Sequence, residues 1–254
     1  PKLKGRGHYG HRLLFSADGH LFISSGERQE FDPAQDMQSN LGKIVRLTAD
    51  GRVPDDNPFA AQAGVTAQIW TLGHRNPLGI AFDLEGRLWN TEMGPRGGDE
   101  LNLVIKGENY GYPEVSNGRH YSFLPIPDHD TRPEFEAPKA WWTPVISPAG
   151  LAFYSGDLFA DWQGDALIPG LSSQALVRVE ISGDLSKSDL AKNYDPYRQP
   201  PSVRINGKDF DVQSNGRFAG ELDIEASNDS MRVLLGTSQG RTVETVVPLP
   251  TIDV

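Results

Sequence analysis

The chain runs to 254 residues, which suits one large domain or one domain with a small appendage, and it is long enough to bury a sizeable core. Its formal charge of −10 argues against a broad nucleic-acid footprint and against attraction to an anionic membrane surface. No apolar run approaches the roughly 18 residues of a spanning helix, and the absence of cysteine excludes disulfides, thiolate metal sites and cysteine nucleophiles. The 27 glycines and 19 prolines, beside plentiful aromatic residues, predict a folded, turn-rich chain of many short strands.

In GHYGHRLLF, His8 and His11 stand three apart ahead of a strand. One reading is two loop histidines with ordinary hydrogen bonds. The other is a general base, since imidazole titrates near neutrality and can take a proton from an alcohol. No third ligand lies at motif spacing to make the pair a transition-metal site. RLLFSADGHLFISSGE (12–27) predicts a hairpin closed at Ala17-Asp18-Gly19. The following ERQEFDPAQDMQSNLGKIVRLTADGRVPDDNPF has too many Pro, Asp and Asn residues for a helix and predicts a long loop over one face. In LGHRNPLGIAF, His74, Arg75 and Asn76 sit at the lip of the next strand. Asn-Pro is a turn signal, and a guanidinium beside an amide can also hold a carboxylate or a developing oxyanion.

PLGIAFDLEGRLWNTEMG (77–94) repeats the hairpin pattern around Leu84-Glu85-Gly86. It runs into EMGPRGGDELNLVIKGENYGYP (92–113), where Gly94 and Pro95 can turn bare carbonyl oxygens towards a hard cation. Asp99 and Glu100 can supply carboxylates to that cation or to a second one. A solvated acidic turn is the alternative, and the spacing is not that of an EF-hand. A second long loop, NGRHYSFLPIPDHDTRPEFEAPKAWW, precedes a third hairpin pattern, PAGLAFYSGDLFADWQGDALIPGL (148–171). The turn glycines Gly19, Gly86 and Gly164 lie further apart than one ordinary propeller blade of roughly 40 to 50 residues, which predicts a β-propeller with either decorated blades or similarity between alternate blades. After Asp184 the composition changes. DLSKSDLAKNYDPYRQPP reads as a linker with a short helix and a proline stop. Beyond it, period-two alternation surrounds the hairpin signals Asn206-Gly207 and Asn215-Gly216. The expected division is a propeller over 1–184, then a linker and small β module over 185–254, the module being immunoglobulin-like or an aberrant last blade.

Taken in order, HYGHRLLFSADGHLFISSGER, NLGKIVRLTADGRVPDDNPF, IWTLGHRNPLGIAF, EMGPRGGDELNLVIKGENYGYP and WWTPVISPAGLAFYSGDLF resemble the soluble PQQ-dependent aldose sugar dehydrogenases of the glucose/sorbosone dehydrogenase family. The resemblance covers about residues 5–182. It implies an all-β, six-bladed β-propeller, incomplete here at its N-terminus, that holds PQQ and calcium and works in the periplasm or outside the cell. The implied reaction oxidises an aldose sugar at C1 to its lactone and passes electrons to an external acceptor. On this resemblance His8 and Arg75 are the catalytic candidates, His8 matching the base that takes the C1 hydroxyl proton as hydride moves to the quinone. Arg75 and Asn76 match residues that grip the quinone, and the carbonyls of Gly94 and Pro95 match ligands of its calcium. Glu100 and the Tyr110 backbone, with Asp99 beside them, match ligands of a second, structural calcium. Trp142 falls near a ring that flanks the cofactor.

The chain also departs from the pattern. The family carries further propeller sequence, including a cofactor-contacting polar residue, ahead of the position of Pro1. Ser172 or Ser173 stands where some members carry a cofactor-contacting lysine, and NYDPYRQPPSVRINGKDFDV does not match the final blade and its arginines. Two alternatives are a calcium-dependent propeller lactonase, which needs no redox cofactor, and a non-catalytic carbohydrate-binding propeller.

Overall fold

The computed structural model describes residues 5–181 and, in the tail, the backbone of four strands within 202–248. The chain divides into two compact units, Pro1–Ala191 and Lys192–Val254. Among the described residues there is no α-helix, only strands and four short 3-10 turns. The first unit is built from antiparallel meanders. β1 (His11–Phe15), β2 (Leu21–Ser25), β3 (Lys43–Leu47) and β4 (Ile69–Leu72) form one four-stranded sheet in chain order. β5 (Pro77–Phe82), β6 (Leu88–Glu92), β7 (Asp99–Leu103) and β8 (Ala140–Trp142) form a second. β9 (Ala152–Phe153), β10 (Ala166–Gly170) and β11 (Ala175–Val179) form a three-stranded third. A consecutive four-stranded meander is the unit of a propeller blade, and β1 lies against β5 as β5 lies against β9.

All three hairpin patterns of the sequence pair as expected: β1 with β2, β5 with β6, and β9 with β10. The turns of the first two share one chemistry. The Ser16 hydroxyl accepts from the His20 amide at 3.1 Å and the Asp83 carboxylate from the Arg87 amide at 2.8 Å, while Gly19 and Gly86 take the positive φ that lets each turn close. The first long loop differs from expectation, because KIVRL within it is β3. Paired on both sides by β2 and β4, this strand buries Lys43, Ile44, Val45 and Arg46 alike. Lys43 tolerates that position because Nζ donates to the carbonyls of Pro33, Ala34 and Leu41 at 2.6, 2.9 and 3.0 Å. The second long loop likewise ends in β8.

Blades are joined by apolar seams. Between the first and second lie Phe22, Ile44, Ile80, Leu88 and Val104, with Phe22 edge-on to Trp70 and Phe82 at 5.5 and 5.7 Å. Between the second and third lie Trp89, Leu101, Ile146, Ala166 and Ile168. Trp89 is fully buried, and its indole N–H donates to Asp83 at 2.9 Å.

In the second unit β12 (Ser202–Ile205), β13 (Lys208–Asp211), β14 (Ser230–Gly236) and β15 (Thr242–Pro248) form an antiparallel sheet in the order β13-β12-β14-β15, which is not the consecutive order of the two four-stranded blades. Ile205 pairs with Lys208, and the Asn206-Gly207 signal between them lies outside the described residues. The linker helix and the Asn215-Gly216 turn lie outside the described residues.

Candidate active site

A chamber of about 270 Å³ opens among the segments that lead into β1, β5 and β7, lined by Arg6, His8, Gln29, Phe31, Arg75, Pro95, Tyr112, His120, Tyr121 and Ser122. Its two arginines, Arg6 and Arg75, with no acidic residue in the lining, give it a charge opposite to the chain's net charge and suit an anionic ligand.

His8 enters the wall on a strained residue, with φ of 56°. Its Nδ1 meets the carboxylate of Glu27, whose side chain is wholly buried just beyond β2. Glu27 is itself fixed by three amides of its own chain, Gln29 at 2.9 Å on one oxygen and Glu30 and Phe31 at 2.6 and 2.7 Å on the other. Burial alone would raise this carboxyl, but the His8 contact and the Phe31 and Gln29 amides outweigh it and hold it below its usual range. An ionised carboxylate can only accept, so His8 carries its proton on Nδ1, and Nε2 is the nitrogen left to take a proton. His11, the other histidine of the motif, is exposed, rests its Nδ1 3.0 Å from the Tyr9 carbonyl, and is not in the chamber lining.

Arg75 lies between the chamber and a second, water-sized void of about 10 Å³ lined also by Glu92, Met93, Gly94, Glu100, Tyr110, Tyr112, Val115 and Ser116. The Arg75 amide donates to Glu92 at 2.6 Å, and Nη1 donates to the Met93 and Gly94 carbonyls at 2.7 and 2.5 Å. Nη2 donates to the Tyr121 hydroxyl at 3.1 Å, and the Tyr112 and Tyr121 rings each stand 5.7 Å from the guanidinium carbon. Nε is buried and has no partner among the described residues. Asn76 instead ties strands together: its side-chain oxygen accepts from the Gly10 amide at 2.9 Å, and it is not in the chamber lining.

The Gly94-Pro95 corner follows β6. A Cβ on Gly94 would collide with the carbonyl oxygens of Gly97 and Gly98, so only glycine fits, and those two residues themselves take positive φ. Asp99 holds the corner down. One of its oxygens accepts from the Gly94 amide at 2.9 Å and the other from the Ser147 amide at 2.7 Å, across the seam to the third blade. Burial nonetheless pushes the Asp99 carboxyl up. Pro95 faces the chamber.

Glu100 is Asp99's neighbour and does something different. It pairs directly with Glu92 across β6 and β7, so two buried carboxylates face each other beside the small void. Glu92 has partners: His74 Nδ1 donates at 2.9 Å and Asn102 at 3.1 Å, and although burial raises it, His74 brings it below its usual range. Glu100 receives only the Asn102 amide at 3.2 Å among the described residues, and burial followed by the charge of Glu92 pushes it well up. The Tyr110 carbonyl accepts from His129 Nε2 at 3.2 Å, and its ring stacks on His74 at 4.7 Å. Trp142 is half-buried, packs against the core between the second and third blades, and takes a hydrogen bond on its carbonyl from the Gly98 amide at 2.9 Å. Among the described residues no three His, Cys, Asp or Glu side chains gather into a metal cluster, so a cation here would rely on main-chain oxygens with one or two carboxylates.

Structure adds Glu27, Tyr112, His120 and Tyr121 to the residues that sequence singles out. For Glu27 the available signal was an acid two residues past the end of a strand, behind Ser25 and Gly26; for the aromatic residues there was none, since their loop is irregular.

A family model described as glucose/sorbosone dehydrogenase matches residues 1–198. The aldose sugar dehydrogenase YliI of Escherichia coli strain K12 is 41% identical over 192 residues, which cover 74% of this chain and 52% of that protein. The chain spans about half the length of the curated relatives it matches. Among solved structures, the apo form of the soluble aldose sugar dehydrogenase from Escherichia coli superposes with a TM-score of 0.65 at 34% identity, covering 98% of this chain and 67% of that one. The PQQ-bound aldose sugar dehydrogenase from Streptomyces coelicolor gives 0.58 at 25% identity, covering 98% and 64%.

Proposed function

The chain belongs to the glucose/sorbosone dehydrogenase family, and from that premise we propose that it serves the PQQ- and calcium-dependent oxidation of aldose sugars at C1 to lactones. The observation that carries this reading is that the His8–Glu27 pair and the Arg75 guanidinium face one cationic chamber, so a base and an anion grip share a single space. The residues present suit both groups. Arg6, Arg75 and His120 offer donors to a polycarboxylate quinone, and Arg75 Nε is a buried donor that has no acceptor among the described residues. The Gly94 and Pro95 carbonyls offer a hard cation main-chain oxygens, and the uncompensated Glu100 carboxylate beside a water-sized void offers a second cation a charge.

When bound, the calcium-held quinone supplies the two-electron acceptor that no side chain of this protein provides. The chain's own part is to bind, orient and move one proton. His8 Nε2 takes the proton of the sugar's C1 hydroxyl, and Glu27 steadies the imidazolium that results. Glu27 acts through His8 and is a positioning residue. Asp99 fixes the Gly94 amide and with it the corner's direction, and Tyr112 and Tyr121 hold the guanidinium of Arg75 in place. Electrons then leave to an external acceptor, in the periplasm or outside the cell. We read residues 185–254 as a linker and separate β module.

The test is reconstitution with PQQ and calcium, followed by dye reduction over several aldoses. Saturable quinone binding with aldose-dependent dye reduction is the expected result. Sugar binding with no dye reduction would make the chain a carbohydrate-binding propeller, and calcium-dependent lactone hydrolysis without quinone binding would make it a lactonase.

A further inference from the structure

The Arg75 guanidinium occupies an unusual seat. The residue is only 3% exposed, and Nη1 is shared between the Met93 and Gly94 carbonyls, the second of which belongs to the buried Gly94-Pro95 corner. Tyr112 and Tyr121 close on it, while Nε–H meets no acceptor among the described residues. A guanidinium and a divalent metal ion on one carbonyl oxygen are like charges a few ångströms apart, with little water between them to screen the repulsion. The same oxygen cannot serve both well.

We propose that Arg75 is the resident cation of the Gly94 corner, and that the guanidinium and a divalent metal ion hold the Gly94 carbonyl by turns. An anionic ligand in the chamber decides between them, because its carboxylate can pair with the guanidinium where Arg75 lines the chamber and draw it off the Gly94 oxygen, a movement that also gives the buried Nε–H an acceptor. Cation and anion binding are therefore positively coupled: each ligand favours the arrangement the other needs, and the coupling is reciprocal. Metal alone binds weakly, and Arg75 keeps the corner from loading with a cation before the anion arrives. This rests on the reading of the Gly94 and Pro95 carbonyls as ligands of calcium.

Calorimetric titration with calcium alone, with no quinone present, tests it. Arg75→Gln should bind calcium about tenfold more tightly than the wild type, within the range usual for coupled sites, whereas Arg75→Lys, which keeps the charge, should stay within about threefold of it. Tyr121→Phe, on an exposed loop, removes the acceptor of Nη2 and should tighten calcium about two- to threefold without threatening the fold. The Arg75→Gln gain must persist in a Glu100→Gln background, which silences the neighbouring carboxylate. Adding PQQ to the wild type should raise its calcium affinity to about that of Arg75→Gln. Calcium binding by Arg75→Gln and Tyr121→Phe that is no tighter than wild type overturns the proposal, as does a gain that vanishes with Glu100 or a wild-type affinity that PQQ leaves unchanged while bound. Failure of the wild type to bind PQQ at all would instead sink the dehydrogenase reading, and the titrations made without quinone would still decide whether Arg75 competes for the corner.

Discussion

Replacing Glu27 by glutamine keeps the shape of the side chain and removes its charge, and the surroundings allow the consequence to be sized. Both oxygens of Glu27 accept, from His8 and Gln29 on one and from Glu30 and Phe31 on the other. An amide has one acceptor oxygen, so its NH₂ must face at least one backbone N–H and leave it buried without an acceptor, at about 1–3 kcal/mol. Loss of charge assistance in the remaining bonds brings the total to roughly 2–4 kcal/mol, or about 5–12 °C of melting temperature for a chain of this size. The pH dependence has a definite sign. Because the folded carboxyl titrates below its ordinary 4.5, its stabilisation is present above that pH and is lost as pH falls through the folded value. Glu27→Gln should therefore melt lower than the wild type at pH 7 and converge with it in acid. In the reconstituted dehydrogenase assay, a base deprived of its orienting carboxylate should lose about 10²-fold or more in turnover while quinone binding holds. A double-mutant cycle with His8→Gln should be strongly non-additive, since the two side chains act as one unit. An unchanged melting curve together with turnover within about threefold of wild type would refute the pairing.

His8→Gln itself should cost about 10²- to 10⁴-fold in dye reduction with PQQ binding nearly intact, and His11→Gln should cost almost nothing, as measured by steady-state kinetics beside a quinone titration. Glu100 has the opposite pH sign to Glu27: its folded carboxyl titrates above 4.5, so wild-type stability falls as pH rises from 4.5 through that raised value, and calcium or Glu100→Gln should remove the fall. Melting scans with EDTA and with excess calcium read this directly, and identical curves at neutral pH would count against a cation beside Glu100. Trp89→Ala should destabilise by about 3–5 kcal/mol in denaturant titration, through the cavity it leaves and the loss of its hydrogen bond to Asp83. Since composition changes after Asp184, limited proteolysis is expected to cut first between Asp184 and Val203; uniform resistance there would favour a last blade over a separate module.

What the sequence made legible follows from how local each cause is. The three hairpins announce themselves because period-two alternation and a glycine at positive φ are properties of neighbouring residues. β3 stayed hidden because its strand is short, is embedded in a polar run, and carries a buried lysine whose three carbonyl partners come only with the folded loop. His8, Arg75 and Pro95 were singled out from their motifs and lie together on the chamber wall. Glu27 was not, because an acid followed by Arg, Gln and Glu reads as solvated until the chain folds its own amides around it. Asp99 and Glu100 look interchangeable as letters. Alternation along β7 sends one to the amides of the corner and the other to face Glu92, and no local pattern distinguishes those fates.

The reach of Asp99 from Gly94 to Ser147 makes a single side chain the keystone of two neighbouring blades. The Gly94-Pro95 corner is therefore pinned to the seam as well as to its own loop, and a substitution at Ile146 or Ile168, outside the chamber lining, is expected to shift it by moving the frame to which it is pinned. Grafting the Gly-Pro-Arg-Gly-Gly loop onto another scaffold would carry the letters without that reference point. Directed evolution aimed at the chamber should hence recover distant seam variants alongside lining ones, and the two classes should compensate each other whenever one displaces the corner and the other brings it back.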